Sequence, residues 1–290
     1  MHRAFEPAAP CAALSPADFE RFRRLAYETF GLDLRDGKEQ LVSARLMKLM
    51  TKLEIRSYKD YYDYVMSDVS GQALTEMVDV LTTNHTSFLR ESSHFEFLVE
   101  QALPEWSRRS RIRVWCAASS TGEEPYSIAF SLLDKVSRSQ TIEILATDIS
   151  TRVLEIARRG IYPNSRLESL PADWTRKYLL RGQNQSEGLF RVKPEIRALI
   201  QFERLNLVEP LPKLEPFPAI FCRNVMIYFD RLTQERVVKQ LTACLEPGGY
   251  LFIGHAESLS GIDGQLRYVK PAIYRKPPAQ STATEDGRRA

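Results

Sequence analysis

Short apolar runs alternate with helix-spaced stretches from residue 112 to residue 254, and this alternation constrains the fold more than any other feature of the chain. Residues 112–117 (IRVWCA) read as a strand, 125–136 as a helix, 142–146 as a strand running out at Asp148, and 151–159 as a helix. Residues 218–222 read as a further strand, 232–245 as a helix stopped by Pro-Gly-Gly, and 250–254 as another strand. Strands buried on both faces show as continuous apolar runs, and strands separated by helices pair in parallel. The expected class is therefore α/β, a mostly parallel sheet covered on both faces. Residues 267–275 are expected as an edge strand. Residues 188–205 (GLFRVKPEIRALIQFERL) read as hairpin-like strands, a small antiparallel β subdomain placed at about 186–205.

The preceding residues keep a helical period instead. Ser15 stands before Pro16, with Asp18 three positions on, which makes an N-cap with proline at the first helical position. Phe19, Phe22, Leu25, Ala26 and Phe30 then recur at helical spacing. The segment 31–37 (GLDLRDG) breaks the pattern, and helices follow over 38–55, over SYKDYYDYVM and over 73–81. The expected organisation is a flexible stretch over 1–13, a helical domain over 14–85, a linker helix over 86–103 and the α/β domain over 104–276. The polar tail 277–290 is expected to be disordered on composition.

Bulk properties exclude several classes of function. The chain has 290 residues, 43% hydrophobic and 27% charged, ordinary for soluble domains with proper cores. A formal charge of +3 does not argue for nucleic acid. No apolar run approaches a membrane span, and the first residues lack a secretion signal's apolar core. Cys11, Cys116, Cys222 and Cys244 show no metal-ligand spacing, so no metal is expected and the thiols are read as reduced, in a cytoplasm.

Ligands of open parallel sheets sit beyond the carboxyl ends of the strands. Three such ends here carry polar residues: WCAASSTGEEPYS (115–127), ATDIS (146–150) and FCRNVMIYFD (221–230). Asp148 is the acid expected to accept hydrogen bonds from a ribose. A dinucleotide needs a glycine-rich turn against its pyrophosphate. This turn offers only Gly122, and Glu123 and Glu124 would repel phosphate. A ligand with a ribose and no phosphate suits it better, and S-adenosylmethionine, with its sulfonium and ammonium, is one. Singly, each feature has a plainer reading: Asp148 as a helix N-cap, and Glu123 and Glu124 as first-turn acids favoured by the helix dipole. The stretch TTNHTSFLRE (82–91), after the stripe Leu74, Met77, Val78 and Leu81, reads either as a capped link between helices or as a lid over the cofactor.

Taken together and in order, TTNHTSFLRE, ASSTGEEPYS (118–127), ATDIS, LNL (205–207) and CRNVMIYFD (222–230) resemble the chemotaxis receptor glutamate methyltransferases, CheR. The resemblance spans roughly residues 15–276. It implies a small helical domain before a Rossmann-like methyltransferase domain, with a three-stranded antiparallel insert in the latter. It further implies S-adenosylmethionine as methyl donor and a chemoreceptor glutamate as acceptor, giving a γ-methyl ester. Carried over position by position, the family's cofactor contacts fall on Asn84, Thr86, Arg90, Glu123, Asp148, Asn206, Leu207, Arg223 and Asn224, with Arg90 and Tyr228 nearest the transferred methyl. Leu89 departs from the Phe of many relatives.

The partner expected from this resemblance is the receptor's cytoplasmic helical region, met by a monomer recruited to membrane arrays through the receptor. Lys38, Arg45, Lys48, Lys52 and Arg56 fall within about a quarter of the wheel of the second helix. They form a basic stripe suited to an acidic helix, or a merely solvated face. In some relatives the insert also docks a receptor's C-terminal peptide as an added strand, and here Arg191, Lys193 and Arg197 would serve it. Two rivals remain open at this level: an adenosylmethionine enzyme acting on RNA or a small molecule, and a non-catalytic binding module on the same fold.

Overall fold

The computed structural model describes residues 13–82, 85–137, 139–262 and 265–279. Four helices come first: α1 (Pro16–Phe30), α2 (Glu39–Lys52), α3 (Tyr58–Ser67) and α4 (Gln72–Leu81). The Ser15 hydroxyl caps α1 by accepting the Asp18 N–H at 3.1 Å, and Ser57 caps α3 by accepting that of Asp60 at 3.1 Å. Gly31, at φ 69°, ends α1 in the left-handed turn that glycine adopts without strain. At 10 to 15 residues these helices are too short to persist alone. They are held by a core of their own, with Phe22, Leu46, Met50, Tyr61 and Met77 fully buried in it.

The linker helix expected over 86–103 begins later. Leu89 and Glu91 take φ 51° and 58°, which an α-helix excludes. Helix α5 (Ser93–Phe97) therefore starts only after them, and passes through a π-turn (Leu98–Ala102) into α6 (Leu103–Glu105).

The second domain contains β1 (Arg111–Cys116), α7 (Glu123–Leu133), β2 (Thr141–Asp148), α8 (Thr151–Arg159), β3 (Ile161–Pro163), α9 (Ala172–Tyr178), β4 (Leu179–Arg181), β5 (Leu189–Val192) and α10 (Pro194–Arg197). It continues with β6 (Ile200–Arg204), β7 (Phe217–Phe221), α11 (Arg231–Cys244), β8 (Leu245–Phe252), β9 (Arg267–Lys270) and β10 (Ile273–Arg275). One seven-stranded sheet runs β6-β2-β1-β7-β8-β10-β9, parallel from β6 to β8 and antiparallel at β10 and β9. A Rossmann-like sheet with a small antiparallel insert behind a helical domain is the class expected from the sequence.

Three local readings are corrected. Residues 188–205 are not one hairpin. Strand β5 pairs with β3 and β4 in the insert, while β6 joins the main sheet beside β2, with Ile144 opposite Ile200. Ile200 is buried in the main core, and Phe202 packs edge-on to Tyr126 at 6.1 Å, which draws β6 away from β5. Residues 267–275 are two strands turning at Ala272, not one. Helix α11 ends at Cys244 and β8 already runs through Pro247–Gly249, so Pro-Gly-Gly lies inside a strand, with Gly248 at φ 81°.

Candidate active site

Strand β1 lies between β2 and β7, so the three polar strand ends are neighbours. They are locked in register: the Trp115 indole N–H donates to Thr147 Oγ1 at 3.0 Å, and the Thr147 hydroxyl donates to the Ala117 carbonyl at 3.2 Å. Beyond these ends lies a cleft of two joined lobes. Phe30, Leu32, Ala117, Leu205, Asn206, Leu207 and Phe229 line the more apolar lobe. Asp79, Thr86, Arg90, Ser120, Glu124, Arg223 and Asn224 line the more polar one. Val78, Thr82, Ala118, Asp148, Ile149, Val225 and Tyr228 line both. Helices α1 and α4 of the helical domain thus form one wall.

Asp148 sits at the junction. Its carboxylate accepts the Ser120 N–H at 2.8 Å and the Ser150 N–H at 3.0 Å. Burial raises its pKa to about 6, against those two bonds, with Asp79 nearby pushing the same way. Asp79 accepts the Ser150 hydroxyl at 2.7 Å, and burial raises its pKa as well.

Arg223 is the ionic centre of the polar lobe. Its fully buried guanidinium donates to Glu124 at 2.7 Å, to Glu91 at 3.0 Å and to the Arg90 carbonyl. Asn224 holds φ 58° and donates to Glu91 at 3.3 Å. The loop that carries it is latched by Glu257, which accepts the backbone N–H groups of Asn224, Met226, Ile227 and Gly254 at 2.6 to 3.3 Å. A Cβ at Gly254 would fall 2.3 Å from Asn224 Nδ2, so only glycine permits this approach. Tyr228 is held through its backbone, its carbonyl accepting the Asp33 N–H at 2.8 Å. Arg90 donates to the His85 carbonyl at 2.7 Å, and Asn206 to the Thr29 carbonyl at 2.8 Å and to Glu209 at 2.9 Å.

Thr86, Arg90, Asp148, Asn206, Leu207, Arg223, Asn224 and Tyr228 thus converge on one cleft. Glu123 does not line either lobe. It is buried, accepts the Thr121 hydroxyl at 2.6 Å and pairs with Arg166 at 3.5 Å, while its neighbour Glu124 faces the cleft. Asn84 lies outside the described residues. Gly122, at φ 100°, serves helix packing: a Cβ there would lie 2.8 Å from that of Ala157 on α8. Sequence reasoning missed Asp79, Glu91 and Glu257. Only Asp79 left a signal, as a carboxylate beside the apolar stripe Met77, Val78 and Leu81.

On α2, Val42, Leu46, Leu49 and Met50 are buried while Lys48 and Lys52 are exposed. Lys38 precedes the helix, Arg56 follows it, and Arg45 is half-buried, its guanidinium donating to the Leu81 carbonyl. A groove lined by Leu34, Lys38, Leu41, Arg45 and Ile227 runs from this face to Tyr228. Arg191 is exposed on β5, and Arg197 donates to the Arg158 carbonyl at 3.3 Å. Neither lines the cleft.

Residues 84–274 match the model of the CheR methyltransferase SAM binding domain, and residues 17–82 that of the CheR methyltransferase all-alpha domain. The chain belongs to the CheR methyltransferase family. It is 43% identical over 263 residues to the chemotaxis protein methyltransferase of Klebsiella aerogenes, covering 90% of each chain. It is 40% identical over 259 residues to chemotaxis protein methyltransferase 2 of Pseudomonas aeruginosa, covering 89% of this chain and 92% of that one. The Escherichia coli chemotaxis protein methyltransferase is 38% identical over 264 residues, covering 90% and 91%. S-adenosylmethionine is accordingly the cofactor of this CheR chain. The cleft fits it: an apolar lobe beside Asp148, and a polar lobe where carboxylates (Asp79, Glu124, Asp148) outnumber guanidiniums (Arg90, Arg223), complementing a cationic ligand. Among the described residues, no helix is long and apolar enough to cross a membrane.

Proposed function

We propose that this CheR protein methylates glutamate side chains on the cytoplasmic helices of bacterial chemoreceptors, forming γ-methyl esters in chemotactic adaptation. It would act in the cytoplasm as a monomer, reaching membrane arrays through the receptor. The observation that carries the reading is Tyr228, shared between the cofactor cleft and the groove bordered by Lys38 and Arg45. An acidic helix laid along that basic, partly apolar face would bring a glutamate to the cofactor.

S-adenosylmethionine supplies an electrophilic methyl on sulfonium. Asp148 would accept hydrogen bonds from the ribose hydroxyls, and Asn206, Leu207, Thr86 and Asn224 would enclose the rest. Asn84 joins them by the family's pattern. Arg223 keeps the wall in shape through Glu91 and Glu124. The acceptor carboxylate, with a reference pKa of about 4.3, is already ionised at neutral pH and requires no general base. Arg90 orients it through paired N–H donors, and Tyr228 shapes the methyl pocket. The remaining work is positioning and exclusion of water. Arg191, Lys193 and Arg197 provide a second contact where a receptor offers a C-terminal peptide strand.

The test is incorporation of labelled methyl into a chemoreceptor cytoplasmic fragment, released by alkali as methanol. Alkali-labile label at glutamates is the expected result. Label on RNA or on small molecules instead, or cofactor binding without transfer, would replace the reading with one of its two rivals.

A further inference from the structure

Next to Arg223 and Asn224, Glu91, His94 and His255 place one ligating atom each within 4.8 Å of one another. His94, on α5, is fully buried, and neither of its ring nitrogens has a hydrogen-bond partner. Its Nδ1 is 3.7 Å from the Glu91 carboxylate, and its ring meets that of His255 edge-on with centroids 4.9 Å apart. A buried polar group left unpaired is destabilising, so the site is incomplete as it stands. An imidazole with both nitrogens unpartnered has a lone pair to offer a ligand.

Glu91 is held like a ligating carboxylate. It accepts from Arg223 at 3.0 Å, from Asn224 at 3.3 Å and from the His255 backbone N–H at 3.1 Å. Such outer hydrogen bonds orient metal-bound carboxylates. Glu124 offsets the Arg223 charge, leaving Glu91 as the excess negative charge. His255 is exposed, its Nε2 held only by a long 3.5 Å contact with the Ser93 hydroxyl, and solvent reaches the open side.

We propose that Glu91, His94 and His255 form a binding site for a divalent transition-metal ion. Two imidazoles, one carboxylate and one open position match Zn2+ best. Ligand bonds of about 2.0–2.2 Å set the ligating atoms closer than they now stand, a closure of roughly 1 Å that rotation of the His255 side chain supplies. The ion joins the 89–94 turn to the loop after β8. Glu91 and Glu257 of those segments hold Arg223 and Asn224, so occupancy stiffens the wall of the cofactor cleft without entering it.

The test uses the full chain, stripped with chelator, titrated with ZnCl2 by calorimetry and with CoCl2 by visible absorption. His85 is not part of the cluster, so His85→Ala serves as control. The expected result is one ion per chain, with affinity at least about tenfold weaker and the cobalt bands lost in His255→Ala, and no change in His85→Ala. His255 is exposed, so its loss leaves the fold intact, which circular dichroism verifies. Absence of saturable binding by the wild type, or equal affinity in wild type and His255→Ala, overturns the site.

Discussion

Asp79 of the helical domain accepts a 2.7 Å hydrogen bond from the Ser150 hydroxyl. Ser150 also caps α8 by accepting the Val153 N–H at 3.3 Å, and its own N–H donates to Asp148 at 3.0 Å. The helical domain therefore sets the loop that presents Asp148. Asp79→Ala removes the acceptor and should cost about 1 kcal/mol of stability. It should also weaken S-adenosylhomocysteine binding several-fold. Asp79→Asn keeps an acceptor oxygen and should lose less of both. Thermal unfolding and calorimetry on the two variants decide the point, and an alanine variant equal to wild type would dissolve the coupling.

Asp148 gives two opposite pH slopes. Its folded pKa is about 6 against an ordinary 3.8. Between those values the folded chain holds a proton that the unfolded chain has released, so Asp148 makes the unliganded fold less stable as pH rises from about 4 to 6. With Asp148 as the proposed ribose acceptor, the ionised carboxylate accepts more strongly than the acid, so cofactor affinity should rise across the upper part of the same window. Asp79, also raised by burial, titrates alongside. Asp148→Asn should abolish most of the affinity slope. At pH 7.5 it should weaken S-adenosylhomocysteine by about 10- to 100-fold, from the loss of hydrogen bonds to a charged group.

Arg223 has no exposed side-chain surface and holds two carboxylates at once. Arg223→Ala strands both acids and should destabilise the fold by about 3–5 kcal/mol. Arg223→Lys should rescue little, because an ammonium cannot reproduce the planar fork that spans Glu91, Glu124 and the Arg90 carbonyl. Urea midpoints measure both. If lysine restored full stability, the fork geometry would be irrelevant.

The fold was legible where one physical signal dominated. Ser15 with Pro16, the apolar runs of β1, β2 and β7, and Asp148 at a strand end each combine propensity, burial and position in adjacent residues. The sequence failed where distant partners decided the outcome. Strand β6 follows Ile200 into the main core, a choice invisible within 188–205. The late start of α5 depends on Leu89 and Glu91 adopting left-handed φ, to which neither residue type is prone. Glu91 and Glu257 carried no signal of their own because their partners, Arg223 and four backbone N–H groups, are set by the fold. Gly122 looked like part of a ligand turn, yet its missing side chain makes room for Ala157.

The role proposed for Arg90 separates orientation of the acceptor from cofactor binding. Its guanidinium reaches the polar lobe while one nitrogen is anchored on the His85 carbonyl at 2.7 Å. Arg90→Ala should lower kcat for receptor methylation by about 100-fold, as the loss of an oriented charged donor does. S-adenosylhomocysteine affinity should stay within a few-fold of wild type. Unchanged turnover would remove Arg90 from the reaction and leave it as an anchor of the 85–91 turn.

Lys48 and Lys52 test the route by which the receptor arrives. Both are exposed one helical turn apart on α2, whose opposite face is buried, so charge reversal leaves the core untouched. Arg45 is less suited to such a test, because its bond to the Leu81 carbonyl ties α2 to α4. Lys48→Glu with Lys52→Glu should slow methylation of a receptor fragment by about tenfold at low salt, with unchanged Tm and unchanged cofactor affinity. Steering between opposite charges weakens with ionic strength. Raising salt should therefore slow the wild type and leave the double variant nearly flat. Parallel salt curves for the two proteins would place the receptor contact elsewhere than on this face.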